Sequence, residues 1–174
     1  SSNFNITFGS WVGADKDGNP FVTTKVTKEA LKIYSNQIIS IYKEKIIELS
    51  DDFSVSTNFV YCPDLLEKRI KNYSILLKKE FDHYSKINFD EPFRIFLSLV
   101  FHRLENFQQN NRGYKSFNEF LEDMEIFQNS VNEVFGKNFR ISKLDDFVDY
   151  VKQFEFHGVA LDIRQNSSVI NSKK

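Results

Sequence analysis

Apolar residues recur at helical spacing through the middle of this sequence, and that spacing limits the chain to a mainly helical fold. The clearest example follows Asp90, where apolar side chains occupy positions i, i+3, i+4, i+7, i+8 and i+11. A stripe this broad is typical of a helix that packs one face against a core. Its members are Phe93, Phe96, Leu97, Val100, Phe101 and Leu104.

Five helices are predicted, because each periodic segment carries its own start or stop signal. Threonine and serine caps, a proline in a first turn and a glycine at a helix end supply those signals. The first predicted helix runs from Thr23 or Thr24 to about Leu49, and the second covers DLLEKRIKNYSILLKKEFDHY after Pro63. The third begins at Asp90 and Pro92. The fourth runs from the Ser116–Glu119 capping box to a left-handed Gly136, and the fifth begins at Ser142.

The two ends of the chain differ from the helical region of residues 24–158. Residues 1–23 contain a glycine-rich loop, because three of the six glycines and Pro20 fall between positions 9 and 20. Residues 159–174 begin with VALDIRQ, in which Val159 and Leu161 alternate with polar or small residues, as in a strand. One strand cannot form a ladder, so we expect this segment to be isolated, with its partners outside the chain.

Composition excludes several classes of protein. The net charge is −1, with 23 basic and 24 acidic residues, which argues against a dedicated nucleic-acid binder. The longest apolar runs, such as IFLSLVF, are far shorter than the roughly 20 residues that span a bilayer. The single cysteine, Cys62, fits a reducing, cytoplasmic setting. The chain begins with serine, and we expect it to be a fragment of a longer protein.

The segment DKDGN within the loop resembles a calcium ligand set only in part. Asp15, Asp17 and Asn19 occupy the first, third and fifth positions of an EF-hand loop, but the sixth is proline and Val26 stands at the twelfth. The glycine spacing matches neither the dinucleotide fingerprint nor the Walker loop. Taken alone, the loop is interpreted as a structural turn that braces Trp11.

The remaining reactive side chains have ordinary structural interpretations. His83, His102 and His157 have no second histidine or cysteine at ligand spacing, and Cys62 has no obvious activating base. The 19 phenylalanines follow helical spacing, which indicates core filling rather than a stacking platform for bases.

Arg164 has two interpretations that the residues alone leave open. It stands on the same face of the predicted strand as Asp162 and could pair with that carboxylate. Its planar guanidinium could instead hold a substrate carboxylate or phosphate.

The two unusual segments together resemble signature segments of phosphoenolpyruvate carboxylase. FGSWVGADKDGNPFVT is similar to the family pattern F-x-S-W-M-G-G-D-R-D-G-N-P-x-V-T, and LDIRQNS to L-D-I-R-Q-E-S. Their separation is also similar to that in the family, and DEPFRIFLSLVFHRL between them resembles the E-P-Y-R stretch. The departures are Ala14 for glycine, Lys16 for arginine, Asn166 for glutamate and Ile170 for histidine.

This resemblance implies a piece of a large, mainly helical, homotetrameric enzyme with a central barrel. The family joins bicarbonate to phosphoenolpyruvate and releases phosphate, giving oxaloacetate for the tricarboxylic acid cycle. Arg164 would help to hold the substrate phosphate, and Trp11 would help to wall the hydrophobic pocket near the reacting carbon. The residues that would shape the loop around Trp11 are Gly13, Asp15, Lys16, Asp17, Gly18 and Asn19.

The resemblance also implies what this chain lacks. The family uses Mg2+ or Mn2+, but its metal carboxylates lie downstream of these segments and its catalytic histidine upstream, so no metal site is expected here. We therefore expect the isolated chain to be inactive. The alternative is a non-catalytic, all-helical interaction module, for which the end motifs have no explanation. The parent reading frame would distinguish the two.

Overall fold

A computed structural model describes residues 9–15, 21–107, 109, 111–136 and 142–162. Helix predominates in this part of the chain, which confirms the mainly helical class. The elements are β1 (Gly9–Ser10), α1 (Thr24–Asp52), α2 (Asp64–Leu76), α3 (Lys78–Ile87), α4 (Pro92–Glu105), α5 (Phe117–Phe135), α6 (Ser142–Phe154) and β2 (Ala160–Leu161). The chain divides into two compact units, residues 41–152 and residues 1–40 with 153–174.

Helix α4 is the centre of the unit formed by residues 41–152. It packs against α2, α3 and α5. The predicted stripe is confirmed, since every member except Phe101 is buried; Ile95 and Leu99 are buried as well, so α4 is enclosed on more than one face. The rings of Phe96 and Phe127 stack with centroids 5.9 Å apart, so these two phenylalanines are core residues as interpreted, whereas Phe21, Phe59 and Phe89 are at least 80% exposed and are not.

The second predicted helix is wrong in one respect, because it is two helices. α2 and α3 are separated by Leu77, whose φ of −121° and ψ of 48° are not helical. No glycine or proline marks this break in the sequence. Leu77 is fully buried, and its N–H still donates to the carbonyl of Tyr73 at 2.7 Å. Packing of this side chain therefore decides the break rather than local propensity.

The ends of α1 and α5 lie close to the predicted positions, but the details of the capping at both ends of α5 and the last residue of α1 differ from the prediction. Ser116 Oγ accepts from the N–H of Glu119 at 3.4 Å, but the Glu119 carboxylate accepts from the N–H of Lys115 instead of that of Ser116. Gly136 has the expected positive φ of 84°, but its ψ of 150° is extended and not left-handed helical. Helix α1 continues to Asp52, beyond the predicted Leu49.

The C-terminal strand is not isolated, which corrects the expectation that its partner lies outside this chain. β2 pairs in parallel with β1, with Gly9 opposite Ala160 and Ser10 opposite Leu161. The N–H of Asp162 continues the ladder by donating to the carbonyl of Ser10 at 3.1 Å. A strand of two residues leaves no periodic pattern in the sequence, which is why β1 was not predicted.

Candidate functional site

Residues 9–15 and 158–162, the described parts of the two unusual segments, lie side by side in the unit formed by residues 1–40 and 153–174. β1 leads directly into the turn of Trp11, and β2 leads towards Arg164. The parallel pairing of these strands brings together segments about 150 positions apart. The candidate site is built around this pairing.

A tight turn follows β1 and exposes Trp11. The N–H groups of Ala14 and Asp15 both donate to the carbonyl of Trp11, at 3.0 and 3.2 Å. Gly13 has a φ of 76°, which L side chains rarely adopt. The turn buries the methyl group of Ala14 completely, whereas Trp11 is 58% exposed. The expected turn is therefore present, and it presents Trp11 at the surface.

The start of α1 forms the support for this turn. Thr27 Oγ1 donates to the carbonyl of Gly13 at 2.6 Å, and Tyr34 Oη and Ser10 Oγ share a hydrogen bond of 2.7 Å. Between them lies Ala30, and a Cβ added to Gly13 would stand only 2.6 Å from the Ala30 Cβ. Glycine is required at position 13 for two reasons, the backbone conformation and the contact with α1.

The same face of α1 also supports the C-terminal segment. Gly158, with a φ of 73°, ends the turn that follows α6 and lies with its Cβ position 3.5 Å from the Ile38 Cβ. Ile38 is one turn beyond Tyr34 on the helix. We call the set Thr27, Ala30, Tyr34 and Ile38 the α1 seat, since their spacing of three or four residues places them along one face.

The α1 seat was only partly visible in the sequence. Tyr34 and Ile38 stand four positions apart within the first predicted helix, as neighbours on an apolar stripe do, whereas Thr27 and Ala30 are too polar or too small to mark the same stripe. The sequence signal for this face is the small Ala30 one helical turn before Tyr34 and the hydroxyl-bearing Thr27 two turns before it. Both are buried, at 8% exposure each.

The structure describes three of the predicted site residues, Trp11, Gly13 and Asp15, and brings them together in one turn. Lys16, Asp17, Gly18, Asn19 and Arg164 lie outside the described residues, so the role of Arg164 stays a prediction. Ala14 replaces a glycine of the family pattern. Its buried methyl shows that the turn accommodates this departure.

The described residues contain no group of three or more histidine, cysteine, aspartate or glutamate side chains placed to hold a metal ion. Among the helices that the described residues form, none is both long enough and apolar enough to cross a bilayer.

A buried polar cluster in residues 41–152 was missed by the sequence analysis. Asp123 is fully buried and its Oδ2 accepts hydrogen bonds of 2.5 Å from Tyr73 Oη and Tyr114 Oη. Arg103, 6% exposed, donates to Tyr73 Oη at 2.5 Å and to Glu119 Oε2 at 3.0 Å. Both Asp123 and Arg103 stand at stripe positions of their helices, which was the available signal.

The charges in this cluster balance in part. Asp123 Oδ1 has no hydrogen bond of good geometry, but it lies 3.3 Å from Arg69 Nη1. Burial raises the pKa of Asp123, and the two tyrosine hydrogen bonds and the two arginines oppose that rise. The carboxylate in turn joins burial in raising the pKa of Tyr73 and Tyr114, so both phenols stay protonated and donate. The cluster joins α2, α4 and α5 and has the properties of a structural element.

The fold and the β1–β2 pair define the class of this chain. It is a mainly helical protein segment in which the α1 seat holds the Trp11 turn and the segment that contains Gly158. The family model of phosphoenolpyruvate carboxylase matches residues 1–172. The chain therefore belongs to the phosphoenolpyruvate carboxylase family.

Individual relatives agree with this assignment. The phosphoenolpyruvate carboxylase of a Nostoc species is 32% identical over 176 residues, covering 92% of this chain and 17% of the relative. Those of Thermosynechococcus vestitus and Picea abies are each 30% identical, covering 92% and 93% of this chain and 18% of each relative. The chain thus spans less than a fifth of the length of these curated relatives.

Proposed function

We propose that this chain is part of a phosphoenolpyruvate carboxylase that converts phosphoenolpyruvate and bicarbonate to oxaloacetate and phosphate. The family membership supports the reaction. The observation that carries the proposal for this chain is the β1–β2 pair, because it joins the segment that contains Trp11 to the segment that precedes Arg164. A non-catalytic helical module would have no need to hold these two motifs together.

In the proposed reaction, bicarbonate attacks the phosphorus of phosphoenolpyruvate and forms carboxyphosphate and the enolate of pyruvate. Carboxyphosphate then releases CO2 and phosphate, and the enolate carbon forms a bond to CO2. The permanently charged fork of Arg164 would bind the phosphate throughout. The exposed indole of Trp11 would form an apolar wall of the pocket in the whole enzyme and keep CO2 near the enolate.

The remaining features of the whole enzyme are proposals of the same kind. The described residues do not provide a ligand set for the Mg2+ or Mn2+ that the family resemblance implies, and we propose that other parts of the enzyme bind it. A cytoplasmic homotetramer that supplies oxaloacetate to the tricarboxylic acid cycle is the expected context.

Replacement of Arg164 tests this function in the protein made from the complete reading frame. Arg164→Ala should lower kcat/KM for phosphoenolpyruvate about ten- to a hundredfold, since a charge-assisted contact contributes roughly 1.5–3 kcal/mol. Arg164→Lys should recover only part of this loss, because lysine supplies a single point charge. Oxaloacetate is measured by coupling to malate dehydrogenase.

Asp162→Ala is the matched control, because it separates substrate binding from a salt bridge. If Arg164 only pairs with Asp162, both alanine variants should lower the melting temperature and leave kcat/KM unchanged. That result would contradict the proposed role of Arg164. A complete protein that forms no oxaloacetate would contradict the function itself.

A further inference from the structure

We propose that Thr27 and Tyr34 are positioning residues, whose hydroxyl groups fix the Trp11 turn relative to the strand that leads to Arg164. Neither residue belongs to the two signature segments. The expected effect on the reaction products rests on the proposed function. The hydrogen bonds that hold the turn are features of the structure and do not depend on that function.

The Thr27 hydroxyl is committed to the turn. It has one proton and two carbonyl oxygens within reach, that of Gly13 at 2.6 Å and that of Thr23, one helical turn earlier, at 3.2 Å. The shorter distance favours the bond to Gly13. Thr27 is 8% exposed, so the Gly13 carbonyl would not readily exchange this donor for water.

The Tyr34 hydroxyl acts on Ser10, and Ser10 connects both motif segments. Ser10 Oγ contacts Tyr34 Oη and also accepts from the N–H of Val12 at 3.2 Å, inside the Trp11 turn. The Ser10 carbonyl accepts from the N–H of Asp162, just beyond β2. A displacement of Ser10 would therefore move the turn and the end of β2 together.

The two hydroxyl anchors are seven residues apart on α1, which corresponds to about 10 Å along the helix axis. The close approach of Gly13 to Ala30 lies between them. Contacts at both ends and in the middle prevent the turn from pivoting on the helix. The backbone turn from which the exposed Trp11 side chain projects is thus held in place by α1.

A displaced Trp11 would have a specific chemical consequence in the proposed reaction. Once carboxyphosphate has released CO2 and phosphate, the enolate either forms a bond to CO2, giving oxaloacetate, or takes a proton from water, giving pyruvate. A wall that no longer retains CO2 favours protonation. The ratio of pyruvate to oxaloacetate therefore reports the position of the wall, whereas a loss of stability alone reduces both products equally.

The test uses Thr27→Val and Tyr34→Phe in the complete protein, since each removes a hydroxyl and keeps the side-chain shape. Pyruvate is measured with lactate dehydrogenase and oxaloacetate with malate dehydrogenase. We expect the pyruvate share to rise at least threefold in both variants. Thr27→Ser, which keeps the hydroxyl, should retain the wild-type share.

Ser98→Ala is the matched control, because Ser98 Oγ donates to the backbone carbonyl of Arg94 at 2.9 Å within residues 41–152. It should leave the product ratio unchanged. An unchanged ratio in both Thr27→Val and Tyr34→Phe would overturn the inference.

A second measurement separates failure of this inference from failure of the proposed function. Trp11 is the only tryptophan of the 174-residue chain, so the fluorescence anisotropy of this chain by itself reports the turn without any substrate. We expect lower anisotropy in Thr27→Val and Tyr34→Phe than in Thr27→Ser, with unchanged helical circular dichroism. If the complete protein forms neither product, the function fails, and equal anisotropy in all variants would then also overturn the positioning role.

Discussion

Tyr73 donates a 2.5 Å hydrogen bond to the fully buried carboxylate of Asp123, and this bond joins α2 to α5. Tyr114 donates to the same oxygen, and Arg69 and Arg103 lie within 4 Å of the carboxylate. Removing one charged partner from such a buried arrangement leaves the remaining charges buried without compensation. The resulting loss of folding free energy is larger than the net stabilisation that the complete arrangement provides.

Asp123→Asn should therefore destabilise the chain strongly. The amide keeps the shape but removes the charge between Arg69 and Arg103, and we expect a loss of about 3–5 kcal/mol in the free energy of unfolding. Urea denaturation followed by circular dichroism measures it. The control is Glu122→Gln, since Glu122 pairs with Arg69 at 2.7 Å but is 60% exposed. It should cost at most about 1 kcal/mol, and equal losses in the two variants would contradict the assignment.

The close contact of Gly13 with Ala30 gives a second prediction. Gly13→Ala should destabilise the chain by roughly 1–3 kcal/mol and alter Trp11 fluorescence, because the methyl group adds a steric clash to an unfavourable φ. Gly9→Ala is the control, since the nearest atom to its added Cβ is 3.9 Å away and its φ is not positive. Similar stability and emission spectra for the two variants would show that the turn is not held against α1.

The helical part of the fold was predictable because helix signals are local. The stripe of α4 and the serine cap of α5 could be read within a few residues, and both are present. The break at Leu77 could not be predicted, since it depends on the burial of that side chain among neighbouring helices.

The candidate site was predictable only through the resemblance of its two end segments. The residues alone indicated a structural turn and a strand without a partner. The pairing of Gly9 with Ala160 joins positions about 150 residues apart, and its two-residue strands leave no period in the sequence. Thr27 and Ala30 were overlooked for a related reason, because their contacts are to a segment that carries no periodic pattern of its own.

The 174-residue chain should not form oxaloacetate from phosphoenolpyruvate, bicarbonate and Mg2+. The family resemblance assigns the catalytic histidine and the metal carboxylates to segments other than the two found here. A malate dehydrogenase assay, with the complete protein as a positive control, measures this. Turnover above a buffer blank would contradict the expectation.

Cys62 should react slowly with alkylating reagents. Burial raises the pKa of its thiol to about 11, and the nearby carboxylates of Glu67 and Asp64 add to the rise. At pH 8, far less of this thiol is ionised than of a free cysteine, whose pKa is about 8.5. The smaller ionised fraction slows alkylation, and the greater nucleophilicity of a more basic thiolate offsets part of this slowing. We therefore expect iodoacetamide to modify Cys62 about tenfold more slowly than N-acetylcysteine.

The pH dependence of this alkylation tests the cause. The rate should keep rising with pH towards about 11 instead of levelling near 9. Since the folded state raises the pKa, the neutral thiol contributes stability that is fully present below the unfolded pKa and is lost as pH rises through about 11. Glu67→Gln should shift the profile to lower pH, whereas Glu133→Gln, which removes only the partner of Tyr61, should not. A profile that levels near pH 9 in the unmodified chain would show that the Cys62 thiol is neither buried nor affected by these carboxylates.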